Sequence, residues 1–297
     1  MSRATRLLRG AAIAGVSATI AAGAAGPAVA APKHDKSARP DCAGRGVPDS
    51  KISIQLFTLR SLINAPGATP AENLEGIFAD LSAMGYRQVE LYNLHGMTAE
   101  QLRALLDKYG LKATVMHTSI SEATWDQTLA NAKTLGLKYL GAGGTPSNFT
   151  SAQQWIDYAE MLNRLGERAK QEGLRLLVHN HDREFTQVYD GQTAFDILME
   201  NTDPRYVYFQ LDLYWATFAG QDPVALLEEY GNRIKLFHVK DLANGTFANP
   251  GEGTIDFPAI FDASQGQIKV YSVEHDRTQA PLETAEIGFE YLDCVTY

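Results

Sequence analysis

The stretch that decides the fold is LLVHNHDRE, residues 176–184, in which an apolar run ends in a group of ionisable residues. Three later stretches have the same form: VYFQLDLYW at 207–215, IKLFHVKD at 234–241 and VYSVEHD at 270–276. Short apolar runs of this kind are typical of strands buried on both faces of a parallel sheet. Four of them in chain order, each polar at the same end, predict one polar pocket formed by parallel strands.

Strand-like and helix-like segments alternate along the whole chain. The strand-like runs lie near residues 51–57, 86–93, 112–117, 137–142, 174–180, 205–212, 233–239 and 268–274. Apolar residues at helical spacing occupy the intervals, at 71–84, 98–109, 123–135, 151–172, 192–200, 223–230, 257–263 and 283–293. This alternation predicts an α/β fold, a single-domain (β/α)8 TIM barrel over residues 51–297. The alternative is an open doubly wound sheet, but no G-x-G-x-x-G follows the first strand.

The N-terminal segment is not expected to belong to the barrel. Within residues 1–30, three arginines precede an apolar stretch at 11–25 and a small-x-small motif at 28–30, the pattern of a secretory signal peptide. An uncleaved membrane anchor is the alternative, although the stretch is shorter than the roughly 20 apolar residues that span a bilayer. Residues 31–50 are rich in Pro, Gly and charge and predict a flexible leader. We therefore expect an extracytoplasmic protein that leaves the membrane after cleavage.

The charge of the chain opposes nucleic-acid binding. The formal charge is −9, and it becomes −12 when residues 1–30, with three arginines and no acid, are removed. Nucleic-acid binding normally depends on a basic face. The charge thus argues against a nucleic-acid partner, and the sequence leaves open whether the chain forms a homo-oligomer.

The two cysteines, Cys42 and Cys294, are either free thiols or, in an oxidising compartment, a disulfide. The last helix of a barrel descends to the bottom face, beside the start of the first strand. Cys294 ends the predicted last helix, and Cys42 lies nine residues before Lys51. The topology therefore predicts a bridge between the leader and the closing seam of the barrel.

Active sites of TIM barrels lie at the C-terminal ends of the strands. The first four strands end with Gln55, Glu90, His117 and the glycines at 141, 143 and 144, which would leave room for a ligand. The last four end in the ionisable clusters quoted above. Imidazole and carboxylate groups together are typical ligands of a divalent metal ion.

Six motifs in these positions resemble the sugar phosphate isomerase/epimerase family, which has the xylose-isomerase-like barrel. They are IQLFTLR (54–60), HNHDREF (179–185), LDLYW (211–215), HVKD (238–241), GEGTIDF (251–257) and VEHD (273–276). The resemblance covers nearly the whole chain from Ile52 to about Tyr291. It implies one divalent metal ion (Mn²⁺, Mg²⁺, Co²⁺ or Zn²⁺) held at the ends of barrel strands five to eight.

Carried over by position, the last three ligands implied by the resemblance are Asp212, His238 and Glu274. The family usually has Glu at the first position, where this chain has His179. His181 or Glu184 could take that position if the register differs. The alternative for each residue is a buried, hydrogen-bonded side chain without a metal. Two imidazoles and two carboxylates remain a suitable set for a borderline metal.

The same resemblance implies proton transfer next to a sugar carbonyl. Family epimerases commonly use a glutamate on strand five and another on strand eight, and this chain keeps only Glu274. His117, His181 and Lys240 are the other candidates for the base; alternatively His117 is a core residue and Lys240 a solvated one. The residues predicted to contact substrate, a small carbohydrate, are Gln55, Glu90, Trp215 and Asp276, with Phe57 and Tyr92 as further aromatic platforms. Alternatively, Glu90 and Asp276 fix the tautomer of a ligating imidazole, and the aromatic side chains belong to the core. Asp256 belongs either to the pocket rim or to a helix N-cap.

The predicted reaction is isomerisation or epimerisation of a non-phosphorylated sugar through an enediolate. Sugar phosphates are mainly intracellular, and the sequence has no Lys- or Arg-rich phosphate cradle. The alternatives of the same chemistry are β-elimination from a 3-keto-glycoside and dehydration of a keto-sugar or cyclitol. Two other classes are an endonuclease of the same barrel type, which the negative charge opposes, and a non-catalytic sugar-binding protein, which needs no metal ligands.

Overall fold

The structure, a computed structural model, describes Cys42 and residues 46–297. The predicted signal peptide (1–30) and most of the predicted leader (31–50) lie outside the described residues. Within the described part, no helix combines the length and the apolar character needed to span a membrane.

Eight parallel strands form a closed barrel, which confirms the predicted (β/α)8 fold. They are β1 (Ile52–Gln55), β2 (Gln88–Leu91), β3 (Lys112–His117), β4 (Tyr139–Ala142), β5 (Arg175–His179), β8 (Val207–Asp212), β9 (Ile234–Val239) and β12 (Val270–Val273). Their order around the barrel is β1-β12-β9-β8-β5-β4-β3-β2, and β2 pairs with β1 to close it. Two short hairpins follow barrel strands, β6 (Val188–Tyr189) with β7 (Gln192–Thr193), and β10 (Asp241–Ala243) with β11 (Thr246–Ala248).

Eight helices lie between the barrel strands or after the last one, close to their predicted positions. They are α2 (Pro70–Met84), α3 (Ala99–Lys108), α4 (Trp125–Leu135), α5 (Ala152–Gln171), α7 (Ala194–Asn201), α9 (Pro223–Tyr230), α10 (Phe257–Ala263) and α11 (Pro281–Cys294). Three shorter helices were not predicted, α1 (Arg60–Ile63), α6 (Arg183–Thr186) and α8 (Leu213–Phe218). Segments of four to six residues are too short to show a helical period.

Local sequence signals explain where the longer helices begin and end. At the start of α3, the Thr98 hydroxyl accepts the Gln101 N–H (3.2 Å), and the Gln101 side chain accepts the Thr98 N–H (2.9 Å). This reciprocal capping box satisfies two N–H groups that a helix start leaves without partners. Gly136 ends α4 with φ 74°, a left-handed conformation that glycine adopts without a steric cost.

The barrel interior changes from apolar to polar along its axis. A separate apolar cluster takes one residue from each of five barrel strands: Val115, Tyr139, Leu177, Leu236 and Val270. Residues two apart on a strand face the same side of the sheet. Two residues further along the same five strands stand His117, Gly141, His179, His238 and Ser272. The apolar layer therefore lies beneath the polar strand ends and supports them.

The predicted disulfide is confirmed. Cys42 and Cys294 are bonded, with their Cα atoms 4.8 Å apart, and Cys294 is the last residue of α11. The Val47 N–H also donates to the Leu292 carbonyl at 2.8 Å. The chain before β1 is therefore attached to the last helix by a covalent bond and a backbone hydrogen bond.

Replacing both cysteines with serine is expected to lower the free energy of unfolding by about 2–4 kcal/mol. The bridge joins residues 252 positions apart, so its loss releases a long loop in the unfolded chain. Urea denaturation of the wild type with and without a reductant should reproduce this difference, and the double serine variant should not respond to the reductant. Equal urea midpoints for the wild type and the variant would contradict a stabilising bridge.

Candidate functional site

A cavity of about 620 Å³ opens at the C-terminal ends of the barrel strands. Of the predicted functional residues, those in its lining are Gln55, Phe57, Tyr92, His117, His179, His181, Lys240, Glu274 and Asp276. Asp212, His238 and Glu90 are fully buried next to these side chains. Residues that are far apart in the sequence therefore meet at one end of the barrel.

The four predicted ligands, from the ends of four barrel strands, lie close together. The Asp212 Oδ2 atom is 3.8 Å from His179 Nε2 and 3.6 Å from His238 Nδ1. His238 Nδ1 is 2.6 Å from Glu274 Oε2, without the alignment of a hydrogen bond. His179, Asp212 and His238 each bring one ligand atom within 4.8 Å of the others.

The hydrogen bonding of these side chains tests whether they fit a metal ion. Among the described residues, four of their buried atoms make no aligned hydrogen bond, although the Lys240 ammonium pairs with both of the oxygens: His179 Nδ1, Asp212 Oδ2, His238 Nδ1 and Glu274 Oε2. Buried polar atoms without partners are uncommon and call for an explanation such as an ion. Two nitrogens and two carboxylate oxygens are a donor set that borderline divalent metals accept. The residues therefore fit a divalent ion.

The Lys240 ammonium lies among three carboxylates. Its Nζ atom is 2.8 Å from Asp212 Oδ2, 2.9 Å from Glu274 Oε2 and 3.1 Å from Asp276 Oδ1. Burial opposes the charge on Lys240, but the carboxylates outweigh it and hold its pKa above the ordinary value. Burial also acts on Asp276 and, with the neighbouring Glu274 carboxylate, raises its pKa to about 6. Lys240 is therefore a buried cation rather than a solvated surface lysine.

The protonation of the imidazoles differs with their surroundings. Burial, together with the nearby His238 and His181 rings, lowers the pKa of His179 well below its ordinary value. Burial and the Lys240 ammonium likewise lower the pKa of His181. For His238 burial acts in the same direction, but the Glu274 and Glu90 carboxylates outweigh it and raise its pKa well above the ordinary value. His179 and His181 are therefore neutral at pH 7, and each offers a lone pair.

Glu90 lies at the centre of a buried hydrogen-bond network. Its Oε1 atom accepts from Gln55 Nε2 (2.9 Å) and His238 Nε2 (2.8 Å). Its Oε2 atom accepts from Gln210 Nε2 (2.8 Å) and Ser272 Oγ (2.5 Å). Burial would favour the neutral acid, but the imidazoles of His238 and His117 hold the pKa of Glu90 well below its usual range. The carboxylate orients His238 so that Nδ1 faces Asp212 and Glu274.

His117 and Trp215 occupy different surroundings. His117 Nε2 is 2.8 Å from Gln210 Oε1 and 2.9 Å from Glu90 Oε1, so its ring is held by the buried network although it lines the cavity. Trp215 packs against the His181 ring, with centroids 5.6 Å apart, and lies 5.9 Å from the Lys240 Nζ atom. Its role in binding substrate stays a prediction.

The glycines of β4 and the following loop make room for side chains as well as for the cavity. A Cβ on Gly143 would lie 2.7 Å from His117 Nδ1, and one on Gly144 would lie 3.3 Å from His181 Cε1. A Cβ on Gly141 would lie 1.9 Å from the Leu177 carbonyl oxygen. These glycines were predicted to leave room for a ligand. Two of them, Gly143 and Gly144, also leave room for imidazole rings.

Glu184 is buried in the loop that follows β5. Its Oε2 atom accepts the His181 N–H at 2.6 Å, and its Oε1 atom accepts from the Thr145 hydroxyl and from Arg183 Nε (3.1 Å). These bonds fix the backbone at His181. The carboxylate of Glu184 is thus already occupied, and the structure favours His179 as the metal-facing residue of β5.

Four polar residues of the site were not predicted from the sequence. Gln210 and Ser272 bind Glu90, and Asn180 Oδ1 accepts the Asp212 N–H at 3.0 Å. The Asp241 carboxylate accepts the N–H groups of Gly251 (3.0 Å) and Gly253 (2.9 Å), which holds the loop after β11 as a rim. A signal existed for two of them, since Gln210 and Ser272 stand two residues before Asp212 and Glu274 and so face the same side. Asp256 is an N-cap, because it accepts the Ala259 N–H at 3.1 Å.

Comparison with known proteins identifies relatives along most of the chain. An inosose dehydratase of Clostridium tetani (strain Massachusetts / E88) is 31% identical over 164 residues, which is 47% of this chain and 54% of that protein. The chain thus spans about half the length of such curated relatives. An inosose dehydratase of Geobacillus kaustophilus (strain HTA426) is 25% identical over 277 residues, covering 77% of this chain and 89% of that protein.

Solved structures show the same fold. A sugar phosphate isomerase/epimerase from Parabacteroides distasonis ATCC 8503 has a TM-score of 0.68 and 24% identity, covering 82% of this chain and 94% of its own. The IOLI protein with a bound zinc atom has a TM-score of 0.63 and 16% identity, covering 82% and 98%. Residues 78–293 match the family model of the xylose isomerase-like TIM barrel. The closed barrel and this match together show that the chain belongs to the xylose isomerase-like TIM barrel family.

Proposed function

We propose that this protein is a divalent-metal-dependent enzyme that removes the proton next to a carbonyl of a non-phosphorylated sugar or cyclitol derivative and then eliminates a neighbouring substituent. The observation that carries the proposal is the convergence of four buried imidazole and carboxylate side chains, those of His179, Asp212, His238 and Glu274, at the floor of one cavity. A sugar-binding protein without catalytic activity would not need such a set.

His179, Asp212, His238 and Glu274 would hold the ion. When bound, a divalent ion supplies Lewis-acid stabilisation of the negative charge that develops on a carbonyl oxygen. The zinc in the IOLI structure is compatible with this assignment, and borderline metals such as Zn²⁺, Co²⁺ or Mn²⁺ suit mixed nitrogen and oxygen ligands. Glu90 acts through His238, because a carboxylate that accepts the far N–H of a ligating imidazole fixes its tautomer.

Two groups in the cavity lining have opposite proton-transfer properties. His181 is neutral, so its imidazole is suited to take the proton next to the carbonyl. Lys240 is held protonated by Asp212, Glu274 and Asp276, so it is a proton donor rather than the base that the sequence also allowed. As His181 takes the proton, the C–H electron pair forms the new double bond. The substituent leaves with its own bonding pair and receives a proton from Lys240.

This pair favours elimination over the isomerisation expected from the motifs. Elimination needs one group that removes a proton and another that delivers one to the leaving group, and His181 and Lys240 meet that need. The relatives named inosose dehydratase point in the same direction. Isomerisation or epimerisation is the second candidate, because the Glu274 carboxylate also lines the cavity and could move a proton on its side of the substrate.

The electrostatics of the cavity support a substrate without a phosphate. Of the described residues that line it, Lys240 is the only lysine or arginine, and three carboxylates already pair with its ammonium. Glu274 and Asp276 add negative charge at the same wall. Beyond Lys240 and the proposed metal ion, the lining therefore offers a phosphate dianion no lysine or arginine that could bind it.

We also propose that the protein works outside the cytoplasm. The signal-peptide pattern of residues 1–30 supports this, and so does the Cys42–Cys294 bridge, since disulfides persist mainly in oxidising compartments. Expression of the full chain, followed by N-terminal sequencing of the protein in the medium or periplasm, tests it. Recovery of an unprocessed chain only in the cytoplasm would contradict it.

The test of the reaction combines metal analysis with product analysis. Purified protein should contain about one equivalent of a divalent metal by plasma mass spectrometry, and chelation should abolish turnover of a panel of keto-sugars, inososes and 3-keto-glycosides. In deuterated water, elimination gives products that have lost water or an alcohol, whereas isomerisation gives products of the substrate's formula with deuterium at the carbon next to the carbonyl. Metal-free protein that still turns over would contradict the proposal.

A further inference from the structure

The two halves of the chain give the cavity two walls of different chemistry. The lining residues from β5 onward are all ionisable: His179, His181, Lys240, Glu274 and Asp276. Within the part of the chain that the structure describes, the lining residues from the first half of the barrel include no carboxylate, lysine or arginine. His117 is the imidazole on that side, and its ring is held by Glu90 and Gln210.

Six side chains of that first half form what we call the apolar wall: Phe57, Tyr92, Ile120, Ala142, Pro146 and Tyr158. Five of them lie at or just after the C-terminal ends of strands β1 to β4, and Tyr158 lies on helix α5. Phe57 is 36% exposed, among the most exposed large apolar side chains of the described residues. An exposed aromatic ring at the mouth of a cavity is available to a ligand.

Phe57 is held in position although it is exposed. The Tyr92 ring packs edge-on against it with centroids 5.5 Å apart, and the Arg60 guanidinium lies 4.1 Å from the Phe57 ring centroid. Arg60 in turn donates to the Asp276 and Phe57 carbonyls. A ring fixed on two sides loses little conformational entropy when a ligand covers it, so it forms a prepared binding surface.

The aliphatic members of the wall indicate what it would bind. A sugar can stack on an aromatic ring, but the side chains of Ile120, Ala142 and Pro146 offer no hydrogen bond to a hydroxyl. Hydroxyl groups placed against them lose hydrogen bonds to water without replacement, which is unfavourable. An apolar group placed there gains about 25 cal/mol for each Å² removed from water. Gln55, Thr118, Ser119 and Thr145 line the same side, but the six side chains of the apolar wall themselves fit a hydrocarbon surface better than a second polyol.

The size of the cavity agrees with a ligand of two parts. A volume of about 620 Å³ lies in the middle of the roughly 300–1,000 Å³ range of pockets that enclose drug-sized ligands. The ionisable wall and the apolar wall line one cavity, so a single molecule can contact both.

We infer that the substrate carries an aromatic substituent beside its polyol ring, as in an aryl glycoside, and that the apolar wall binds this substituent. The inference rests on the proposed function for one point only, that the polyol ring faces the ionisable wall.

The test compares matched phenyl and methyl glycosides. A panel of phenyl and methyl β-glycosides of glucose, galactose, mannose and xylose is titrated into the metal-loaded protein by calorimetry. At least one phenyl glycoside should bind at least tenfold more tightly than its methyl partner. Phe57→Ala and Ile120→Asn should each remove most of that preference, measured as the ratio of the phenyl and methyl affinities of the same variant. Phe218→Ala is the control, because Phe218 is 46% exposed but lies outside the cavity lining.

Each outcome has a definite meaning. If no phenyl glycoside in the panel binds more tightly than its methyl partner, including the case in which none binds, the inference is overturned. It is also overturned if the phenyl preference survives in both wall variants. Protein that lacks metal but keeps the phenyl preference would refute the proposed function and leave the apolar wall standing. Protein that holds metal but shows no phenyl preference would overturn the inference about the apolar wall and leave the proposed function standing.

Discussion

Replacing Asp212 with Asn is expected to remove the bound metal and to lower turnover by roughly a thousandfold or more, about 4 kcal/mol of transition-state stabilisation. The Asp212 Oδ2 atom faces His238 and His179, and its charge is paired with the Lys240 ammonium 2.8 Å away. An amide nitrogen at that position cannot bind a cation, and its N–H groups would point at the Lys240 ammonium. Metal content by plasma mass spectrometry and steady-state kinetics measure the two effects.

The fold of this variant should survive. Asp212 Oδ1 caps α8 by accepting the Trp215 N–H at 3.0 Å, and the carbonyl oxygen of Asn can accept the same bond. Lys240 keeps two of its three carboxylates, Glu274 and Asp276. The circular dichroism spectrum of the metal-free variant should therefore match that of the metal-free wild type.

Asp222→Asn is the matched control for this experiment. Asp222 also caps a helix, since it accepts the Val224 N–H at 2.9 Å, but it is outside the cavity lining. This variant should keep both its metal and its turnover. If Asp212→Asn behaves like Asp222→Asn, the assignment of the metal centre is wrong.

The barrel was predictable because each barrel strand carries its own signal. The run IKLFHV, for example, is apolar and bounded by turn residues, and it forms β9 (Ile234–Val239) one residue from its predicted start. The short helix α8 could not be predicted in the same way. It is six residues long, and it begins because the Asp212 side chain caps it. A residue assigned to metal binding thus has a second, structural role that spacing alone does not reveal.

The predicted ligands of the site were easier to find than its connections. Strand ends gave the clusters of candidates, and the family resemblance selected His179, Asp212, His238 and Glu274 from them; the structure brings these four together. Whether Lys240 would face solvent or the cavity depends on the Asp212, Glu274 and Asp276 carboxylates around it, and these come from different strands. Contacts of this kind depend on the register between neighbouring strands. The closed barrel sets that register, and the sequence of a single strand does not reveal it.

Of the two roles that the sequence left open for Glu90, the hydrogen bonds favour the one that fixes the His238 imidazole, and this role leads to the second large effect. Glu90→Gln is expected to lower the free energy of unfolding of the metal-free protein by about 3–5 kcal/mol. The wild-type carboxylate accepts hydrogen bonds from Gln55, His238, Gln210 and Ser272 while fully buried. A glutamine amide would replace one oxygen with a donor that faces other donors, and the buried His238 cation would lose one of the two carboxylates that stabilise it.

Urea denaturation measures this loss, and Ser272→Ala is the control. That substitution removes one donor to Glu90 and keeps the charge pair with His238, so it should cost only about 1 kcal/mol. Metal affinity gives the readout that separates orientation from stability. Because Glu90 fixes the His238 ring, Glu90→Gln should weaken metal binding by roughly 10- to 100-fold under conditions where the variant is folded. Unchanged metal affinity in a folded Glu90→Gln variant would show that the network supports the barrel and not the metal centre.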